Sequence, residues 1–164
     1  RGYESERFLA ALRESSDVVT VQEADLADAA ERFSDAHLGV LAEFALCANG
    51  AAHLITLAPS QQAQPITQRV EDLLRSLLGI TKEAIAGGAL RYERRVADAV
   101  AASRTEGVIT LLLPPERAEL VTTMALAQQV MPQKATHFSP KPATGLLFLS
   151  HDLAAEGAAV SRDA

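Results

Sequence analysis

The period of apolar positions changes several times along the chain, and each change marks an element. Tyr3, Phe8, Leu9 and Leu12 recur at helical spacing, and Asp17-Val18-Val19-Thr20-Val21 follows as a β-branched run, so the opening predicts a helix and then a strand. Glu23 to Phe33 returns to helical chemistry, with Ala24, Ala27, Ala30 and Phe33 in register and acids near the start, where the helix dipole favours them. Two apolar runs then flank Asn49-Gly50, from Leu38 to Leu46 and from Ala52 to Leu57. That is a β-hairpin signal, because both central residues of a type I′ turn need positive φ.

Pro59 to Pro65, rich in Gln and Ser, reads as a loop that could join two lobes. Ile66, Val70, Leu73, Leu74, Leu77 and Leu78 define a one-sided helix that ends at Gly79, a residue suited to a left-handed C-terminal position. Thr81 can cap a short helix that Gly87-Gly88 breaks. Leu90-Arg91-Tyr92 reads as a brief extended piece before a helix over 94–102. Val108 to Leu113 is wholly apolar and closed by Pro114-Pro115, the pattern of a strand buried on both faces, which predicts a central strand. Pro115 suits the first turn of a following helix, Glu116 to Val130, with Leu120, Val121, Met124 and Ala127 on its apolar side. Gly145 to Leu149 reads as a final strand, and 151–164 as a disordered tail.

These elements predict an α/β (mixed α+β) fold: a mixed sheet containing the hairpin, with the 108–113 strand central and the 66–78 and 116–130 helices packed on it. The organisation expected is one domain over 1–150, with possible lobes 1–58 and 66–150 joined by the 59–65 loop. At 164 residues, 48% hydrophobic and 22% charged, the chain suffices for one ordinary core. The opening Arg1-Gly2-Tyr3 carries neither an initiator Met nor a signal pattern, so the chain reads as a fragment of a larger protein. The longest apolar stretch, Phe44 to Ala58, is interrupted by Asn49-Gly50 and His53 and is too short to span a bilayer, which predicts a cytoplasmic protein.

Charge narrows the partners. A net charge of -6 and a pI near 5.2 offer no long-range attraction to a phosphate backbone, so nucleic acid is not expected, nor is a membrane. Cys47, the single cysteine, lies in an apolar run and reads as a buried, inert thiol. His37, His53, His137 and His151 lack the spacing of a helical zinc pair, so no metal site is expected from protein ligands alone. Arg91-Tyr92-Glu93-Arg94-Arg95 is a dense basic cluster that could grip a phosphate or simply be a solvated helix start. No nucleophile elbow is present, Asp98, Glu106, Glu116 and Glu119 show no pairing in sequence, and Gly87-Gly88 lacks the context of a dinucleotide fingerprint.

Donors concentrate in Met131 to Gly145, which holds three prolines, two lysines, His137 and several hydroxyls between a predicted helix and a predicted strand. Prolines fix φ and lower the entropic cost of holding a loop in one shape. Gln133, Lys134, Thr136, His137 and Lys141 are therefore candidate ligands for a phosphate or carboxylate, with catalytic residues unidentified. The same run also reads as a proline-stiffened crossover with solvated lysines.

The run Met131-Pro-Gln-Lys134-Ala-Thr136-His-Phe138-Ser-Pro140-Lys141-Pro-Ala-Thr-Gly145-Leu146 resembles the carboxyl-terminal signature of the family called domain of unknown function 1015. The resemblance extends upstream through Leu77-Leu78-Gly79-Ile80, Leu90-Arg91-Tyr92 with Ala97-Asp98-Ala99-Val100, and Leu111-Leu112-Leu113-Pro114-Pro115. The family carries a serine where this chain has Ala135 and an aromatic where it has Ser139. Its longer amino-terminal half bears Pro-Pro-Tyr-Asp and Gly-His-Arg type motifs, neither of which occurs here. The family is similar to free-serine kinases built on a partition-protein and sulfiredoxin-like domain. The resemblance implies ATP and Mg²⁺ as cofactors of the whole protein, L-serine as acceptor, and that amino-terminal half as partner. It implies that this chain is inactive alone. A non-catalytic scaffold, whose signature loop packs against the other half, is the alternative.

Overall fold

The computed structural model describes residues 5–34, 42–60 and 64–132. Helix α1 (Ser5–Glu14) leads into strand β1 (Val18–Ala24), helix α2 (Leu26–Ser34), and the hairpin β2 (Glu43–Ala48) and β3 (Ala51–Leu57). Helices α3 (Ile66–Leu78), α4 (Lys82–Ala86) and α5 (Val96–Ser103) follow, then strand β4 (Thr110–Leu112) and helix α6 (Ala118–Leu126). The four strands form one antiparallel sheet in the order β1-β3-β2-β4, so the fold is mixed α/β.

The hairpin is the frame. Asn49 at φ 51° and Gly50 at φ 81° give the two positive-φ residues of a type I′ turn, and Ala48 pairs with Ala51 across it. Because side chains alternate across the sheet, Phe44, Leu46 and Ile55 face one side while Ala45, Cys47 and Ala52 face the other. Phe8, Leu9 and Leu12 of α1 and Val70, Leu73 and Leu74 of α3 cover the first side. Ala29 and Phe33 of α2 and Ala99 of α5 cover the second. Small residues on β2 and β3 let those two helices approach closely. The first core draws on residues from both sides of the 59–65 segment. Arg69 ties α3 to the end of β3 by donating to the Ala58 carbonyl.

Several predicted boundaries move. Glu23 belongs to β1, and α2 begins only after Asp25, whose Oδ1 accepts from the Ala27 and Asp28 N–H groups at 2.7 and 3.3 Å. Pairing with β3 extends β1 at the expense of helical pattern. The predicted extended piece at Leu90-Arg91-Tyr92 joins no strand, and α5 starts at Val96 rather than Arg94. Pro115 lies ahead of α6 rather than in its first turn, and Arg117 is the N-cap.

The larger correction concerns Val108 to Leu113. Only Thr110–Leu112 pair, and they pair with β2 alone among the described residues, so the strand expected at the centre is an edge of the described sheet. Its continuous hydrophobicity has another cause: α5 covers one face, while Ile109, Leu111 and Leu113 pack on the α1–α3 core. The hairpin strands occupy the centre. α3 packs on the sheet as expected, together with α1, but the other face is covered by α2 and α5; α6 adds no residue to either described cluster, burying Met124 and leaving Leu126 82% exposed.

Candidate functional site

At the turn end of the sheet, residues of α2, the hairpin turn and α5 line an open groove of about 1050 Å³. Leu26, Ala30, Ala97 and Val100 give its lining apolar surface, and Asp25, Asn49, Arg104 and Glu106 give it polar groups. The hairpin turn is fixed against α5, since Asn49 N–H donates to the Ser103 carbonyl at 2.9 Å. Ser103 is buried, and its hydroxyl donates to the Val100 carbonyl at 2.8 Å. Asp25 is engaged as the α2 cap, whereas the Arg104 and Glu106 side chains make no ion pair or hydrogen bond among the described residues. The groove can therefore offer one guanidinium and one carboxylate above an apolar surface.

The basic cluster resolves toward its bland reading. Arg91 pairs with Glu93, and Arg95 holds Asp98 through two bonds of 2.8 and 3.2 Å. Tyr92 reaches Glu71 at 3.4 Å; burial, and then Glu71, raise its phenol above the usual range. Local acids thus take up much of the cationic character that a phosphate would need.

Glu116 is the perturbed carboxylate sequence reasoning passed over. It is half-buried beside the α3 N-terminus, where Pro65 has no side chain to cap the helix, and its Oε1 accepts from Thr67 N–H at 3.4 Å. Burial raises its pKa, while the backbone N–H groups of Thr67 and Ile66 pull the other way. A carboxylate 49 positions away in sequence supplies the cap, so only the lack of a capping residue at Pro65 could have hinted at it.

Cys47 is fully buried, and burial pushes its thiol up to about 11, the inert state its context predicted. His53 is half-buried on β3. The candidate ligands Gln133, Lys134, Thr136, His137 and Lys141 lie outside the described residues, as do His37, His151, the predicted strand at 145–149 and the tail. Among the described residues, no group of three or more His, Cys, Asp and Glu is arranged to hold a metal ion. No helix of the described residues is long and apolar enough to cross a membrane.

Comparison with protein families, curated proteins and solved structures yields no match for this chain.

Proposed function

We propose that this chain is the carboxyl-terminal module of an ATP-dependent kinase acting on a small hydroxyl-bearing molecule, free L-serine in the first instance. The observation that carries the reading is the donor-rich run Met131 to Gly145, with its resemblance to the signature of domain of unknown function 1015. ATP with Mg²⁺, when bound, supplies the phosphoryl group. Phosphoryl transfer depends mainly on positioning and charge neutralisation, which suits a run rich in prolines and cations. In this reading Lys134 and Lys141 neutralise anionic oxygens, and Gln133, Thr136 and His137 orient the anion by hydrogen bonds. The partner is an amino-terminal half of the same protein, which provides the base and the rest of the nucleotide site, in a cytoplasmic setting.

A second reading, a non-catalytic scaffold, is favoured by one observation. Leu126 and Val130, 82% and 88% exposed, lie on the approach to the signature run and would suit burial against another lobe.

The deciding assay is phosphoryl transfer from ATP to L-serine by the longer protein, with this chain alone run beside it and Mg²⁺ in both. Phosphoserine from the longer protein only is the expected result. Product from neither, with the longer protein shown folded, removes the kinase reading and leaves the scaffold.

A further inference from the structure

Helix α5 is apolar on more sides than its place in the fold uses. Ala99 and Ser103 are buried, and Val96 packs on the second core, which accounts for the stripe that faces the sheet. A surface helix ordinarily carries polar residues on the remainder. Here Asp98 is the one charged residue of Val96–Ser103, and Ala97 and Ala101 are exposed beside Val100 along the groove. From α2, Leu26, Ala27 and Ala30 line the same groove. Two helices thus present one apolar surface outward, with the Asn49-Gly50 turn, tied to α5 through Ser103, at one end.

The walls set the shape of an occupant, and the charges around them set its chemistry. Alanine side chains end at Cβ and let a helix axis approach to about 8 Å, the short end of the packing range. The α5 wall runs from Ala97 to Arg104, about 12 Å or two helical turns. Glu31, exposed one turn along α2 from Ala27, and Glu106 make no ion pair or side-chain hydrogen bond among the described residues, and Asp25 caps α2 through Oδ1 alone. Against these carboxylates the groove sets one guanidinium, that of Arg104. Its surroundings are therefore net negative, as is the whole chain at -6. A second copy would bring the same acids to the contact, and an anionic membrane surface would be repelled, so a cationic partner is favoured over both.

We propose that the α2–α5 groove docks an amphipathic helix of a partner protein. The partner's apolar stripe lies against Val100 and the alanines, and lysines or arginines on its flanks meet Glu31 and Glu106. An acidic residue of the partner answers Arg104. The docking holds whether or not the longer protein transfers phosphate.

The test uses the full chain and a synthetic peptide of about 14 residues, long enough to hold a helix, with leucine at i, i+3, i+4 and i+7 spacing and lysine elsewhere. Two controls accompany it: the same residues in an order that breaks the stripe, and the striped peptide with glutamate in place of lysine. Amide shift mapping should confine the changes to 25–31, 49–50 and 97–106, and the striped lysine peptide should bind on the order of 10-fold more tightly than either control. Ala97→Gln, at an exposed helical position, should weaken binding on the order of 10-fold by filling the groove. Glu31→Lys combined with Glu106→Lys should weaken it most at low salt. Equal binding by the broken-stripe peptide, tighter binding by the glutamate peptide, or shifts centred elsewhere would each overturn the proposal. Absence of binding would do the same, as would contacts from elsewhere in this chain, or from a second copy, that already cover Ala97 and Ala101. Should a variant unfold, the three peptides on the native chain still decide.

Discussion

Cys47 shows how a buried side chain can set the pH response of the fold. Burial holds its thiol at about 11 against an ordinary 9.0. Between those values the unfolded chain ionises and the folded chain does not, so the stabilisation is complete below pH 9.0 and is lost as pH rises toward 11. Two units correspond to about 3 kcal/mol as an order of magnitude. Urea unfolding at pH 8 and pH 10.5 should show a steeper alkaline loss for the native chain than for Cys47→Ala; equal losses would contradict the buried-thiol account. Glu116 carries the same sign at lower pH. Its raised pKa means that stability falls as pH rises from the usual carboxylate value through the raised one. Glu116→Gln keeps an oxygen for the Thr67 N–H without a buried charge, so its stability at pH 7 should match or exceed that of the native chain. Glu116→Ala should cost about 1 kcal/mol through loss of the α3 cap, and thermal melts of the two variants separate these effects.

At the scale of elements, legibility followed the reach of the interactions. The Asn49-Gly50 turn, the α3 stripe with its Gly79 stop and the Thr81 cap were readable because each is decided within a few residues. Gly79 sits at φ 67° with its N–H returned to the Arg75 carbonyl, and Thr81 Oγ1 accepts from Ala84 N–H at 3.2 Å. The place of β4 was not readable, since an apolar run looks the same whether strands flank it on both sides or a helix and core residues cover its faces. The late start of α2 was hidden for a related reason: pairing with β3, distant in sequence, decides how far β1 runs. Gly50→Ala tests the hairpin as the frame of both cores. No atom lies within 4 Å of an added Cβ, so the expected cost of about 1 kcal/mol comes from the left-handed backbone alone. A chemical denaturation midpoint lowered with unchanged m-value checks it, and no shift would mean that the turn had relaxed.

For the whole molecule, the division of labour between core and candidate site decides how a mutation should read. The candidate ligands stand out in the sequence as a concentration of donors and lie outside the described residues. Among the described residues, the buried side-chain polar atoms all have partners, and both hydrophobic clusters close around the hairpin using residues before 125. A lysine whose task is to face an anion contributes charge rather than apolar packing, so a ligand role predicts loss of activity without loss of stability. In the kinase reading, Lys134→Ala in the longer protein removes a charge-assisted contact to an anionic oxygen. That should lower kcat/KM on the order of 100-fold or more, while Tm moves by no more than a degree or two. Lys134→Arg, which keeps the charge but changes the donor geometry, should recover part of the loss. A fall in Tm that tracks the fall in activity would instead assign Lys134 to packing between lobes, and would favour the scaffold over the ligand site.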